Sequence, residues 1–211
     1  MGHAYDESYA ARNQADLVAL IEGNPLAWVV SGKAEALMHS PLPLRCGYAA
    51  DGRLSHLLGH LALRNPLAAR LREDPMAAAF FLGPQAYVSA SWLDDRTQAP
   101  TWNYCAAAFQ LKVELHDAPG AIRDELSALV AQMEAGRPKA WQLEEMEGRY
   151  AHLARHVVAF RAQIVSVHST FKLGQDERPG DYAQIAEGLG RSQEASLLHW
   201  MRRFEARDEE P

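Results

Sequence analysis

Arg64-Asn65-Pro66 is the stretch whose residue types lend themselves most directly to binding chemistry. Asn is a good helix N-cap, and Pro fits the first helical position, where no amide proton is needed. A helix start carries partial positive charge and unpaired amide donors, which together take a phosphate readily, and Arg64 could add a bidentate contact. The same three residues also describe an ordinary capped helix with a solvated arginine, so both readings stand. No Walker-type or GxGxxG loop offers another nucleotide route.

Histidines are the next candidates. His56 and His60 lie four apart on a strand-like run, and His152 and His156 four apart on a helix-like one, a spacing that can chelate zinc. Neither pair has the acid of an HExxH motif or a cysteine cluster to complete four ligands, so the sequence predicts no metal site. There is no GxSxG elbow and no reactive-cysteine signature, so no catalytic residue is assigned. The last candidate is YVSASWLDDRTQAPTWNY (87–104), a polar, loop-like segment holding Tyr87, Trp92, Trp102 and Tyr104. Its aromatics either staple a long loop down or wall a site for something flat.

The elements that must position these groups are legible from periodicity. Leu17, Leu20 and Ile21 mark a helix near Asp16–Glu22, ended by Gly23-Asn24-Pro25. Short apolar runs follow: LAWVVSG, EALMHSPLPLRCGY, GRLSHLLGHLAL, MAAAFFLG, AYVSAS and YCAAAFQLKVELHD. Turn residues rather than crossover helices separate them, which predicts an antiparallel sheet closing on itself. MAAAFF is also open to a helix on propensity alone. Leu67 and Leu71 give the segment after Asn65 an apolar face. Further helices are predicted over Ile122–Met133, over Leu143–Leu153, and as a C-terminal pair from Tyr182–Leu189 and Leu197–Phe204. A strand, VVAFRAQIVSVHSTFKL, lies between, and the acidic end ARDEEP is expected to fray.

Composition narrows the function classes. The chain has 211 residues, 48% of them hydrophobic, enough for one sizeable core. A formal net charge of −6 argues against a broad nucleic-acid footprint. Cys46 and Cys105 sit in apolar runs and are expected to be buried thiols rather than a bridge. HAYDESYAARNQ (3–14) contains no secretory h-region and no apolar run reaches membrane-spanning length, so a cytoplasmic protein is expected, without a membrane partner.

Four blocks then prompt a match: GHLALRNP (59–66), GPQAYVSASW (83–92), APTWNY (99–104) and FKLGQD (171–176). In this order they resemble the PaiB-type FMN-binding family, often labelled negative transcriptional regulators, whose pattern runs GHxAxxNPQW, GPHAYISPSWY, VPTWNY and FKLSQN. SPLPL (40–44) matches the family's T/S-x-x-PL segment, so the resemblance spans about residues 9 to 190. It implies an α+β, mainly β, fold: a split antiparallel β-barrel of the FMN-binding type with peripheral helices and a C-terminal helical pair. Residues 1–178 would form the barrel domain and 179–211 a helical extension packed on it. FMN would lie at a homodimer interface.

By the same resemblance, His39, Ser40, Leu42, Gly59 and His60 would run along the flavin, and Arg64 and Asn65 would face its phosphate. Trp92, Trp102 and Tyr104 would close the pocket, with Lys172 and Gln175. Departures from the pattern are Gly174 and Asp176 for Ser and Asn, Gln85 for His and Leu93 for Tyr; His39 precedes the SPLPL segment instead of lying inside it. The family label implies a transcriptional regulator; the alternative is a flavin-dependent oxidoreductase using NAD(P)H. Direct DNA binding draws little support: no helix-turn-helix is evident, and Arg202-Arg203 is a lone basic pair.

Overall fold

Period-2 alternation, with small or apolar side chains on one face, builds six strands. β1 (Leu26–Ser31) buries Ala27, Val29 and Ser31, while Leu26 and Trp28 point out. β2 (Met38–Tyr48) buries Leu42 and Leu44, and β3 (Leu54–Ala62) buries Leu57, Gly59 and Leu61. β4 (Met76–Val88), β5 (Thr101–His116) and β6 (Val157–Lys172) are longer. In this computed structural model, which describes residues 7–205 with the side chain of Ala34 excepted, the strands form a closed antiparallel barrel in the order β1-β2-β3-β6-β5-β4. The antiparallel barrel read from turn spacing is therefore the fold observed. The ARDEEP end lies outside the described residues.

The described residues also form six α-helices: α1 (Gln14–Gly23), α2 (Pro66–Glu73), α3 (Pro119–Glu134), α4 (Gly148–Ala154), α5 (Pro179–Arg191) and α6 (Ala195–Glu205). The last two are the expected C-terminal pair. The chain resolves into two compact units, one of residues 1–20, 82–107 and 168–211, the other of 21–81 and 108–167. In the second unit Phe81 meets Phe109 edge to face at 5.6 Å, among the fully buried Leu44, Leu57 and Leu111. In the first, Phe171 stacks on Phe204 at 5.3 Å, and Leu173, Ile185 and Leu189 are fully buried.

MAAAFF is strand, as its place among the apolar runs implied, and the helix left open by propensity does not form: Ala77, Ala79 and Phe81 alternate inward and Ala78–Phe80 pair with Trp28–Val30. Two local expectations are corrected. MAAAFFLG and AYVSAS are one strand: the Gly83-Pro84 step lacks the positive φ that a glycine turn would show, and β4 continues through it. The helix read over Leu143–Leu153 is broken into a 3-10 turn (Leu143–Met146) and α4 by Glu147, whose φ is 48°.

Prolines shape one strand edge. Leu44 N–H bonds to the Pro25 carbonyl on the β1 side, so by alternation Pro41 and Pro43 face the opposite edge of β2. Pairing with β3 begins only at Leu44, opposite Gly59. Pro has no N–H to give there, so β3 parts from β2 and the chain turns into α2, which packs on β1 and β2.

Candidate functional site

Asn65 is the N-cap of α2, with extended backbone (φ −70°, ψ 125°) and Oδ1 accepting from the Leu67 N–H at 3.0 Å. The Ala68 N–H bonds to the Asn65 carbonyl at 2.9 Å, and Pro66 has no N–H. The unpaired amides expected from the sequence at this helix start are thus partly spent on the cap itself. What remains is the positive end of the helix dipole and Arg64, which is exposed.

The other half of the Asn65 amide reaches across to β2. Its Nδ2 donates to Ser40 Oγ at 3.0 Å. Because Leu67 N–H can only donate, Oδ1 must face it, and the amide orientation is fixed. Ser40 shares its strand face with Leu42, which is buried opposite Ala27. Gly59 lies opposite Leu44, and a Cβ there would come within 2.7 Å of the Phe160 ring. The fold therefore brings Ser40 to Asn65, which the exposed Arg64 precedes in the chain.

His39 and His60 occupy the other face of the sheet. His39 lies opposite Val30 and meets Trp28 edge-on at 5.2 Å. Burial, and then the charge of Arg45, pushes the His60 imidazole below its ordinary 6.5. Beside His39 runs an exposed apolar face that strand-by-strand reading missed. Trp28 stands directly opposite Phe80, and the two are 51% and 48% exposed, with Leu26 and Met76 also exposed. The signal was present in MAAAFF and LAWVVS, which are apolar on both strand faces.

In the first unit, the segment read as an aromatic loop is mostly ordered elements. Tyr87 ends β4, Trp92 closes a 3-10 turn (Ala90–Trp92), and Trp102 and Tyr104 lie on β5. Trp92 sits on Gly188 of α5, and the adjoining loop is tied to the same helix by paired hydrogen bonds, Asp94 N–H to Gln184 Oε1 and Gln184 Nε2 to Asp94 Oδ2, both 2.8 Å. Tyr87 and Trp102 meet edge-on at 6.1 Å, with about half of each exposed. So the stapling reading holds for Trp92, while Tyr87 and Trp102 present half-exposed rings.

Lys172 Nζ donates to Thr101 Oγ1 at 2.6 Å. Gln175 closes its own turn, accepting from Leu173 N–H at 2.7 Å and donating to the Phe171 carbonyl at 2.6 Å. The unusual Asp176 accepts from the Tyr9 hydroxyl at 2.9 Å.

Neither cysteine is set up as a nucleophile. Burial pushes the Cys46 thiol up to about 11 and Cys105 to about 12, and both are unbridged. The rings of His152 and His156 touch edge-on at 5.5 Å, but α4 ends at Ala154, so the helical spacing is not sustained. No group of three or more metal-ligating side chains occurs among the described residues, nor a helix long and apolar enough to cross a membrane.

Residues 5–166 match the family model described as "Putative FMN-binding domain". Among solved structures, the chain is similar to the flavocytochrome Anf3 from Azotobacter vinelandii, at 15% identity and TM-score 0.59, over 86% of this chain and 78% of that one. It is also similar to the FAD and heme binding protein from Mycobacterium smegmatis, at 20% identity and TM-score 0.57, over 83% of this chain and 79% of that one. At these identities the likeness is one of fold. No curated protein sequence matches the chain.

Proposed function

The chain belongs to this FMN-binding domain family, and from that premise we propose that it is a homodimeric FMN-binding protein of the PaiB type, with the phosphate end of the flavin at Ser40, Arg64 and the start of α2. The observation that carries this is the donor set left over once Asn65 has capped the helix. The Ser40 oxygen accepts from Asn65, so its proton is free to be given away, and Arg64 stands exposed beside the dipole. Those groups fit a dianionic phosphate. Bound flavin would supply the electron chemistry, and the chain's own residues would hold and orient it.

The dimer reading is supported by the Trp28–Phe80 face, since paired, half-exposed large aromatics on one sheet face mark a surface that another protein covers. Trp102, Tyr104, Lys172 and Gln175 are carried as flavin contacts by the family resemblance, with Leu42 and Gly59 as the apolar floor beside Ser40. His39 and His60 are carried by the resemblance alone, since they lie on the opposite face of the sheet from Ser40, Leu42 and Gly59.

A regulatory role, if the family label holds, would act without broad DNA contact. Arg203 is committed to Asp16 (3.2 Å) and to the Ala15 carbonyl (3.2 Å), which leaves the Arg202-Arg203 pair half spent. The oxidoreductase reading draws on the redox names of two similar structures, and oxidation of NADPH or NADH by the flavin-loaded protein tests it. The experiment for the main proposal is the visible spectrum after incubation with FMN and desalting, followed by titration with FMN and with riboflavin. Retained absorbance near ~450 nm and a clear preference for FMN support the site; equal affinity for both flavins removes the phosphate assignment.

A further inference from the structure

We infer that Asn65 is a positioning residue, acting on the flavin phosphate through Ser40; this rests on the flavin reading above. The resemblance puts Asn65 itself on the phosphate, but its side chain is held by two bonds within the protein. Oδ1 accepts from the Leu67 N–H at 3.0 Å, and one of the two Nδ2 protons goes to Ser40 Oγ at 3.0 Å.

The consequence falls on Ser40. A serine hydroxyl can donate or accept, and its proton rotates to suit its neighbours. An amide N–H directed at the Ser40 oxygen takes one of its two lone pairs and turns its proton away from Asn65, leaving that proton to be donated elsewhere. A donor is what a phosphate oxygen needs, and hydrogen bonds to a charged acceptor are the strong ones. The helix cap thus fixes Asn65, and Asn65 fixes the sense of the Ser40 hydrogen bond. The link joins residues 25 positions apart, which local sequence motifs do not encode.

The test uses the full chain and four proteins: wild type, Asn65→Ser, Ser40→Ala and the double variant. Serine is about as good an N-cap as asparagine, so Asn65→Ser keeps the cap while losing the amide that reaches Ser40. The expected result is that each single variant binds FMN about tenfold more weakly, the size of one charge-assisted hydrogen bond. The double variant should lose about tenfold too, not about a hundredfold, because both changes remove the same contact. Riboflavin affinity should not move, and the melting temperature of the flavin-free Asn65→Ser protein should fall only by what the loss of one part-buried hydrogen bond accounts for. Asn65→Ser binding FMN as tightly as wild type overturns the inference, as does a double variant showing the product of the two losses. A wild type that takes up no flavin overturns the flavin reading itself, an outcome distinct from either.

Discussion

The Trp92 indole lies so close over Gly188 that a Cβ at that position would sit 2.3 Å from the ring. No side chain fits without moving the indole, and the glycine in the last turn of α5 is explained by that contact. On an open helix Gly→Ala would gain up to about 1 kcal/mol. Here overpacking, at about 1–3 kcal/mol, outweighs it. Gly188→Ala should therefore lower the melting temperature, and adding Trp92→Ala should recover part of the loss. A stabilised Gly188→Ala would mean that the indole moves aside freely.

Arg64→Ala should weaken FMN binding about 10- to 100-fold, the range of a charge-assisted hydrogen bond, and leave the fold intact because the side chain is exposed. Fluorescence titration at two salt concentrations checks it. Unchanged affinity would detach Arg64 from the phosphate.

Trp28→Lys should turn the proposed dimer into a folded monomer, since the indole is half exposed in the single chain and its loss leaves no cavity in the core. Sedimentation velocity and far-UV circular dichroism read the two halves of that statement. Trp102→Ala should weaken both flavin binding and the dimer; a dimer of unaltered stability would place Trp102 outside the interface.

Arg45 and Glu125 form a nearly buried ion pair between β2 and α3. Burial pushes the Glu125 carboxyl above its ordinary range despite the arginine. Glu125→Ala strands the guanidinium and should cost about 3–5 kcal/mol, toward the lower end because Arg45 retains some solvent contact. Arg45→Leu combined with Glu125→Met should cost far less. Urea unfolding of all three proteins separates the price of breaking the pair from the pair's net worth.

Burial, with Arg161 and Arg45 as the respective second causes, depresses the His56 and His60 imidazoles below 6.5. The neutral form is therefore favoured when folded, so this stabilisation is complete above pH 6.5 and is lost as pH falls through the depressed values. Glu125, shifted upward, contributes in the opposite sense at lower pH. The check is the difference between proteins: His60→Gln should lose less melting temperature than wild type between pH 7 and pH 5.5. Parallel curves would place the acid sensitivity elsewhere.

Features decided within a few residues were legible in the sequence. Asn65 before Pro66 named its helix and cap, and the periodicity of β6 and of the C-terminal pair named theirs. Features decided by distant partners were not. MAAAFF became a strand because β1 lies beside it. Trp102 looked like a loop residue among Thr and Asn, yet Asn103 is an inward strand position, 1% exposed. Trp92 owes its role to a glycine 96 positions away, and Ser40 owes its donor character to an asparagine on another element.

The two prolines on the β2 edge have a consequence for how this protein can meet its own kind. An uncovered strand edge normally invites another chain to extend the sheet, the first step toward fibrils. At Pro41 and Pro43 that edge has no N–H to offer, so an incoming strand would find acceptors without donors. Any contact between copies on this side of the barrel would therefore rest on side chains rather than on a shared sheet.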